Sequence, residues 1–150
     1  MSVLQRFYGA MARRDWAGMG ACYHDHARFS DPVFPDLDAH GVRAMWKMLL
    51  TGGTDLQVKC NVLEEDEGKG RVRLDAHYTF TGTGRRVHNV ILSTFQLKDG
   101  LILDQRDEFD LWRWSRQALG WKGLLLGWSS MLQGRVRSMA AKRLAKAMAA

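Results

Sequence analysis

The chain has 150 residues, 46% of them hydrophobic and 25% charged, which leaves room for one domain with a real core and excludes a disordered or fibrous polymer. Its net charge of +6 is unevenly placed, because Arg135, Arg137, Lys142, Arg143 and Lys146 follow Gly134 with no acid among them. Basicity therefore belongs to the tail, and with no basic-aromatic base-stacking strand in the sequence, a nucleic-acid partner is not expected.

In chain order, residues 3–23 read as two helices broken near Arg14-Asp15. Leu4, Phe7, Tyr8 and Met11 are helically spaced, and Asp15 can cap a second helix bearing Met19, Cys22 and Tyr23. A short strand over 27–31 ends at Asp31-Pro32, where proline removes an amide donor and biases the preceding residue to extended geometry. A loop to Gly41 leads into a helix over about 41–51, with Val42, Met45, Trp46 and Leu49 on one face. After Gly52-Gly53 the period changes to two. Leu56, Val58, Cys60 and Val62 alternate with polar residues until Glu64-Glu65-Asp66, and Gly68-Lys69-Gly70 turns the chain. In RVRLDAHYTF, Val72, Leu74, Ala76, Tyr78 and Phe80 share one face, opposite Arg73, Asp75, His77 and Thr79. HNVILSTFQL is apolar on both faces, as a central strand is. Asp99-Gly100 is a hairpin signal into LILDQRDEFDL, and glycine-interrupted helical sequence follows. Helices followed by a four-strand meander imply an α+β domain whose sheet curves and packs one face on the helices.

Several groups invite chemistry, and each has a plainer reading. Asp31 is either a turn-closing carboxylate or a general base tuned by burial. Asp107 is either half of an acid–base pair or a strand-end ion pair with Arg106 or Arg73. Two carboxylates facing one apolar pocket would repel, so one stays protonated while the other ionises, giving an acid and a base in one site. Asn89, Ser93 and Gln105 share the parity of pocket-facing positions and can hold a carbonyl or a water. Arg73, Asp75 and His77 are either site residues or the solvated face of a strand. His24-Asp25-His26 reads as surface at a helix end, not as a metal site, and His40 and His88 have no visible partner. Cys22 and Cys60 lack metal spacing and are expected as buried, reduced thiols. No cofactor or metal signature is present: nucleotide loop, nucleophile elbow and zinc spacing are all missing.

CYHDHARFSDP, FQLKDGLI and QRDEFDLW together resemble the nuclear transport factor 2-like superfamily, which includes ketosteroid isomerases, limonene epoxide hydrolases and SnoaL-like polyketide cyclases. The resemblance covers roughly residues 3–115. It implies a cone-shaped fold, in which a strongly curved, mostly antiparallel sheet wraps around N-terminal helices and encloses a deep pocket. Residues 1–111 would form that ligand-pocket domain, with 112–150 as extra C-terminal helices packed on it.

The resemblance puts the proton-shuttling aspartate of ketosteroid isomerases at Asp31. Their oxyanion-hole donors fall on Phe7, beside Tyr8, and on Ser93; phenylalanine has no donor and serine is a weaker one than a carboxylic acid, which argues against strict steroid isomerisation. Against limonene epoxide hydrolases, Asp107 occupies a catalytic position, and Arg73 with Asp75 matches their Arg-x-Asp pair if the following hairpin is one residue longer. Their water-holding tyrosine and asparagine correspond to Phe29 and Asp31. The implied catalytic set is Asp31, Asp107, Arg73 and Asp75, and the implied ligand contacts are Phe7, Tyr8, Phe29, Trp46, His77, Asn89, Ile91, Ser93, Gln105 and Phe109.

The expected protein is a cytoplasmic homodimer acting without cofactor on a small hydrophobic steroid-, terpenoid- or polyketide-like ligand. The alternative is a non-catalytic ligand-binding or assembly module. MSVLQRFYGAMARRDW shows no export signal, and no apolar run approaches the roughly 20 residues that span a bilayer. Trp112, Trp114, Trp121 and Trp128 are expected in a lid or core. Leu111–Leu132 should cover the pocket mouth or a second subunit, leaving the five basic residues of the last helix in water. Contact of that helix with an anionic membrane is a lesser alternative.

Overall fold

In the computed structural model, residues 1–53, 55–121, 123 and 129–149 are described. Helix α1 (Val3–Ala12) starts at a capping box in which the Ser2 hydroxyl accepts from the Gln5 amide while the Gln5 side chain accepts from the Ser2 amide. Asp15 caps α2 (Trp16–Ala21), and Asp38 caps α3 (Ala39–Gly52). Between these helices lie β1 (Tyr23–Ser30) and the two-residue β2 (Leu37–Asp38). The meander β3 (Gln57–Glu65), β4 (Lys69–Phe80), β5 (Arg85–Lys98) and β6 (Leu101–Glu108) comes next, followed by α4 (Leu111–Leu119) and α5 (Ser130–Ala149).

The sheet order is β2-β1-β6-β5-β4-β3, curved and antiparallel except where β1 runs parallel to β6. The β5–β6 hairpin closes through Asp99 and Gly100 at φ 55° and 72°, with Lys98 opposite Leu101, the geometry that the Asp-Gly pair favours. Register irregularities between Val62 and Glu64 and between Gln96 and Leu97 mark bulges, which bend strands.

Helices α1–α3 fill the concave face. Phe7, fully buried, meets Tyr8, Tyr23, Trp46 and Phe95 edge-on, with ring centroids 5.0–6.1 Å apart. Val72, Leu74, Phe95 and Ile102 face these rings from the sheet. Leu144 of α5 is buried in the same core, with Ala140 packed against it.

Several local expectations need correction. Strand β1 starts at Tyr23, so His24, Asp25 and His26 lie on a strand, where the His26 amide donates to His24 Nδ1. Cys22 is buried as expected, but Cys60 is exposed on the outermost strand; both are free thiols. Trp128 and 124–126 lie outside the described residues. Among those described, no helix is long and apolar enough to cross a membrane.

Candidate active site

A cavity of about 740 Å³ opens between the helices, the concave face of β4–β6, and α4 and α5. Its walls are largely apolar: Met45, Trp46, Leu74, Ala76, Ile91 and Phe109 are among the lining residues. Pockets of this size and character hold small organic molecules. Asp31 and Asp107 both line it.

The parallel pairing of β1 with β6 explains why they meet. Phe29 stands opposite Gln105 and Ser30 opposite Arg106, so Asp31 and Asp107 lie one step beyond the last paired positions of neighbouring strands. The Asp-Pro pair ends β1 there, and Asp31 folds into a tight turn. Its Oδ1 accepts from the amides of Val33 and Phe34, and its own amide donates to the Phe34 carbonyl. No described residue donates to Oδ2. Burial raises the carboxyl to about 6 against the pull of the two amides.

Asp107 is more deeply placed, 7% exposed, and burial raises it to about 7, with the charge of Asp31 adding to the rise. Its Oδ1 accepts from Gln105 Nε2 at 3.0 Å. A buried chain orients that amide. Trp46 Nε1 can only donate and does so to the Tyr23 hydroxyl at 2.9 Å, and the Tyr23 hydroxyl in turn donates to Gln105 Oε1. The carbonyl side of Gln105 is thereby committed, and its NH₂ faces Asp107. Ser93, opposite Asp107 across β5–β6, stands beside Tyr8 and Asp107 and favours ionisation of both, yet its hydroxyl and that of Tyr8 make no normal hydrogen bond.

Two further polar groups face the cavity. Tyr78 accepts from Trp114 Nε1 at 2.8 Å, and its proton has no acceptor among the described residues. Burial keeps it protonated. Asn89 lines the wall, and no described residue bonds its side-chain amide. Helix α4 holds Trp114 over Tyr78 and Phe80. It is pinned to β5 where the His88 amide donates to Gln117 Oε1, Gln117 Nε2 donates to the His88 carbonyl, and Arg85 Nε donates to the Gln117 carbonyl.

Of the expected ligand contacts, Trp46, Asn89, Ile91 and Phe109 line the cavity. Phe7, Tyr8, Phe29, Ser93 and Gln105 are buried behind its wall. Arg73, Asp75 and His77 must be moved out of the site. On β4, Leu74 pairs with Ile91 and Ala76 with Asn89, so the concave parity belongs to the even positions and the odd ones face outward. There Arg73 bonds Asp75, Asp75 bonds His88, and His88 stacks on His77 at 4.1 Å, which supplies the partner that His88 lacked in the sequence. Asp75 is held below its usual value, first by His88 and then by Arg73.

Tyr78 and Tyr23 escaped the sequence reading. Tyr78 was legible only as part of an apolar face, and Tyr23 only as a helix position. The tail also departs from expectation. Lys142 and Lys146 are exposed, but Arg137 is half-buried and donates to the Pro32 carbonyl at 2.7 Å. Arg135 and Arg143 are exposed yet line the cavity.

A curved sheet closed by helices around an apolar cavity with two carboxyls defines a cone-shaped pocket protein of the nuclear transport factor 2-like superfamily. The chain belongs to the SnoaL-like domain family, which matches residues 4–105. Similar solved structures include a candidate polyketide cyclase of Xanthomonas campestris pv. campestris, at 21% identity and TM-score 0.66, covering 77% of this chain and 93% of that one. An epoxide hydrolase of M. tuberculosis, LEH-like, matches at 16% identity and TM-score 0.59 over 87% and 92% of the two chains. A protein of Catenulispora acidiphila DSM 44928 with a ketosteroid isomerase-like fold, in complex with trimethylamine, matches at 9% identity and TM-score 0.65, over 77% and 91%. At these identities the likeness shows the fold alone. No curated protein matches the chain.

Proposed function

We propose that the cavity is the active site of a cofactor-free acid–base enzyme acting on a hydrophobic steroid-, terpenoid- or polyketide-like molecule, by isomerisation, hydrolysis or cyclisation. The observation that carries this reading is the presence of two carboxyls, raised to about 6 and about 7, in one largely apolar cavity. A non-catalytic pocket needs neither, and burying them costs stability.

The roles follow from which proton leaves first. At neutral pH Asp31 is mostly ionised and acts as the base through Oδ2, which takes no other hydrogen bond from the described residues. Asp107 keeps a large protonated fraction and acts as the acid, with its Oδ1 engaged by Gln105. Tyr78 and Asn89 can hold a developing oxyanion or a water, a role for which Phe7 has no donor and Ser93 is a weak one.

The test is turnover of a panel of apolar epoxides, enones and linear polyketone esters by the parent, Asp31→Asn and Asp107→Asn proteins. The expected profile for the parent is a bell with its maximum between pH 6 and 7. Each variant should lose at least about 100-fold in kcat, the usual scale of general acid–base catalysis, and one limb of the bell. Full activity in both well-folded variants would leave the cavity as a binding pocket only.

A further inference from the structure

The wall that α5 contributes to the cavity carries two arginines without a part in acid–base chemistry. Arg135, Val136, Met139, Ala140 and Arg143 all line the cavity. Their spacing (i, i+1, i+4, i+5, i+8) makes a single helix face. The five basic residues of this helix are thus sorted. Lys142 and Lys146 go to solvent, Arg137 goes to the Pro32 carbonyl, and the remaining two go to the cavity rim.

Elsewhere in the domain, four arginines are ion-paired: Arg28 with Asp36, Arg43 with Asp25, Arg73 with Asp75 and Arg86 with Asp55. Arg135 and Arg143 have no hydrogen-bond or ion-pair partner among the described residues. The interior carboxyls are not their counter-ions either. Burial and two amides set Asp31, burial, Ser93, Gln105 and repulsion by Asp31 set Asp107, and no guanidinium contributes. The cavity is therefore largely apolar within, carries its acids in the interior, and has at its rim two cations without a partner among the described residues, about 12 Å apart along the helix. Guanidinium binds carboxylate and phosphate-type oxygens through paired hydrogen bonds.

We propose that Arg135 and Arg143 form an anion subsite at the rim of the cavity, so that its ligand is a hydrophobic molecule carrying a carboxylate or a sulfate or phosphate monoester. This deepens the functional reading above and rests on the cavity being the ligand site. Free acids and acid esters share the chemistry, and the probes below separate them.

The experiment measures binding of decanoate, decyl sulfate and 1-decanol by displacement of the neutral dye Nile red. The parent should bind at least one of the two anions about tenfold more tightly than decanol, with the preference shrinking as salt is raised. Preference for decanoate marks a carboxylate ligand, and preference for decyl sulfate an ester. The Arg135→Gln/Arg143→Gln variant should bind decanol as the parent does and lose the preference. A Lys142→Gln/Lys146→Gln variant loses the same charge from the same helix away from the cavity, and it should keep the preference. Both pairs are exposed, and equal melting curves verify their folds.

Equal affinity for decanol and both anions would overturn the subsite while leaving the cavity reading intact. So would a preference that survives in the arginine variant or disappears in the lysine variant. Failure of all three probes and the dye to bind would overturn the cavity reading and the subsite with it.

Discussion

Asp107 has an aqueous carboxyl's chemistry and a nearly dry environment, and the conflict can be measured without knowing any substrate. Its folded value of about 7 lies above the ordinary 3.8. Below the ordinary value both folded and unfolded chains hold the proton, and ionisation costs nothing. As pH rises from about 4 to about 7 the unfolded chain releases its proton first, so stability falls, and above about 7 the loss is complete. Asp107→Asn removes the titration while keeping the shape and the bond from Gln105. The variant should equal the parent at pH 4 and exceed it by about 1–4 kcal/mol above pH 8, since each pKa unit is worth about 1.4 kcal/mol. Denaturant melts at the two pH values check this. A stability difference that does not change with pH would show that Asp107 is not burdened by burial.

Among the elements, β4 and β1 show what sequence can and cannot reveal. The alternation of Val72, Leu74 and Ala76 makes β4 legible as a strand with one buried face, because that signal is local. Which face Arg73 and Asp75 take relative to the cavity depends on pairing with β5, which no local pattern states. The hairpin joins Phe80 to Arg85, and that register turns the pair outward. Strand β1 was read too short because Met19, Cys22 and Tyr23 also fit helical spacing. What makes Tyr23 extended is its pairing with Ile102, far along the chain. Asp31 and Asp107, which both line the cavity, are legible as candidates because Asp-Pro and Arg-Asp-Glu-Phe-Asp-Leu are short local motifs. Tyr23 and Tyr78 were missed because each acts through a nonlocal partner, Gln105 or Trp114.

The same element carries a test of positioning. Tyr23→Phe keeps the buried ring but frees the Gln105 amide to rotate, removing a donor from Asp107. The Asp107 titration, followed by carbon NMR of its carboxyl, should move above about 7, and stability should fall by about 1–3 kcal/mol for the unpaired Trp46 and Gln105 groups. A titration left in place would make the chain from Trp46 to Gln105 packing alone.

At the scale of the molecule, the tail is part of the architecture. Leu144 lies in the main core, Arg137 ties α5 to the turn that holds Asp31, and Leu132, Val136, Met139 and Ala140 wall the cavity. Removing residues 129–150 should therefore lower the melting temperature by at least about 5 °C, given about 2–5 kcal/mol for one buried leucine alone. Binding of an apolar dye should rise as the cavity wall is lost. A truncated protein with the parent's melting temperature and dye response would show α5 to be an appendage.

The parallel pairing of β1 with β6 also sets an order of events in folding. The hairpins β3–β4, β4–β5 and β5–β6 join neighbours in sequence, whereas Ser30 must find Arg106 across half of the chain. Closing so large a loop costs entropy that later contacts must offset, so the meander is free to form while β1 is still unattached. Until β1 docks, Asp31 is an ordinary solvated carboxylate, and Asp107 has no neighbour to repel it. The shared cavity, and with it any acid–base power the pair possesses, therefore cannot exist before β1 docks, and it is lost when β1 comes away.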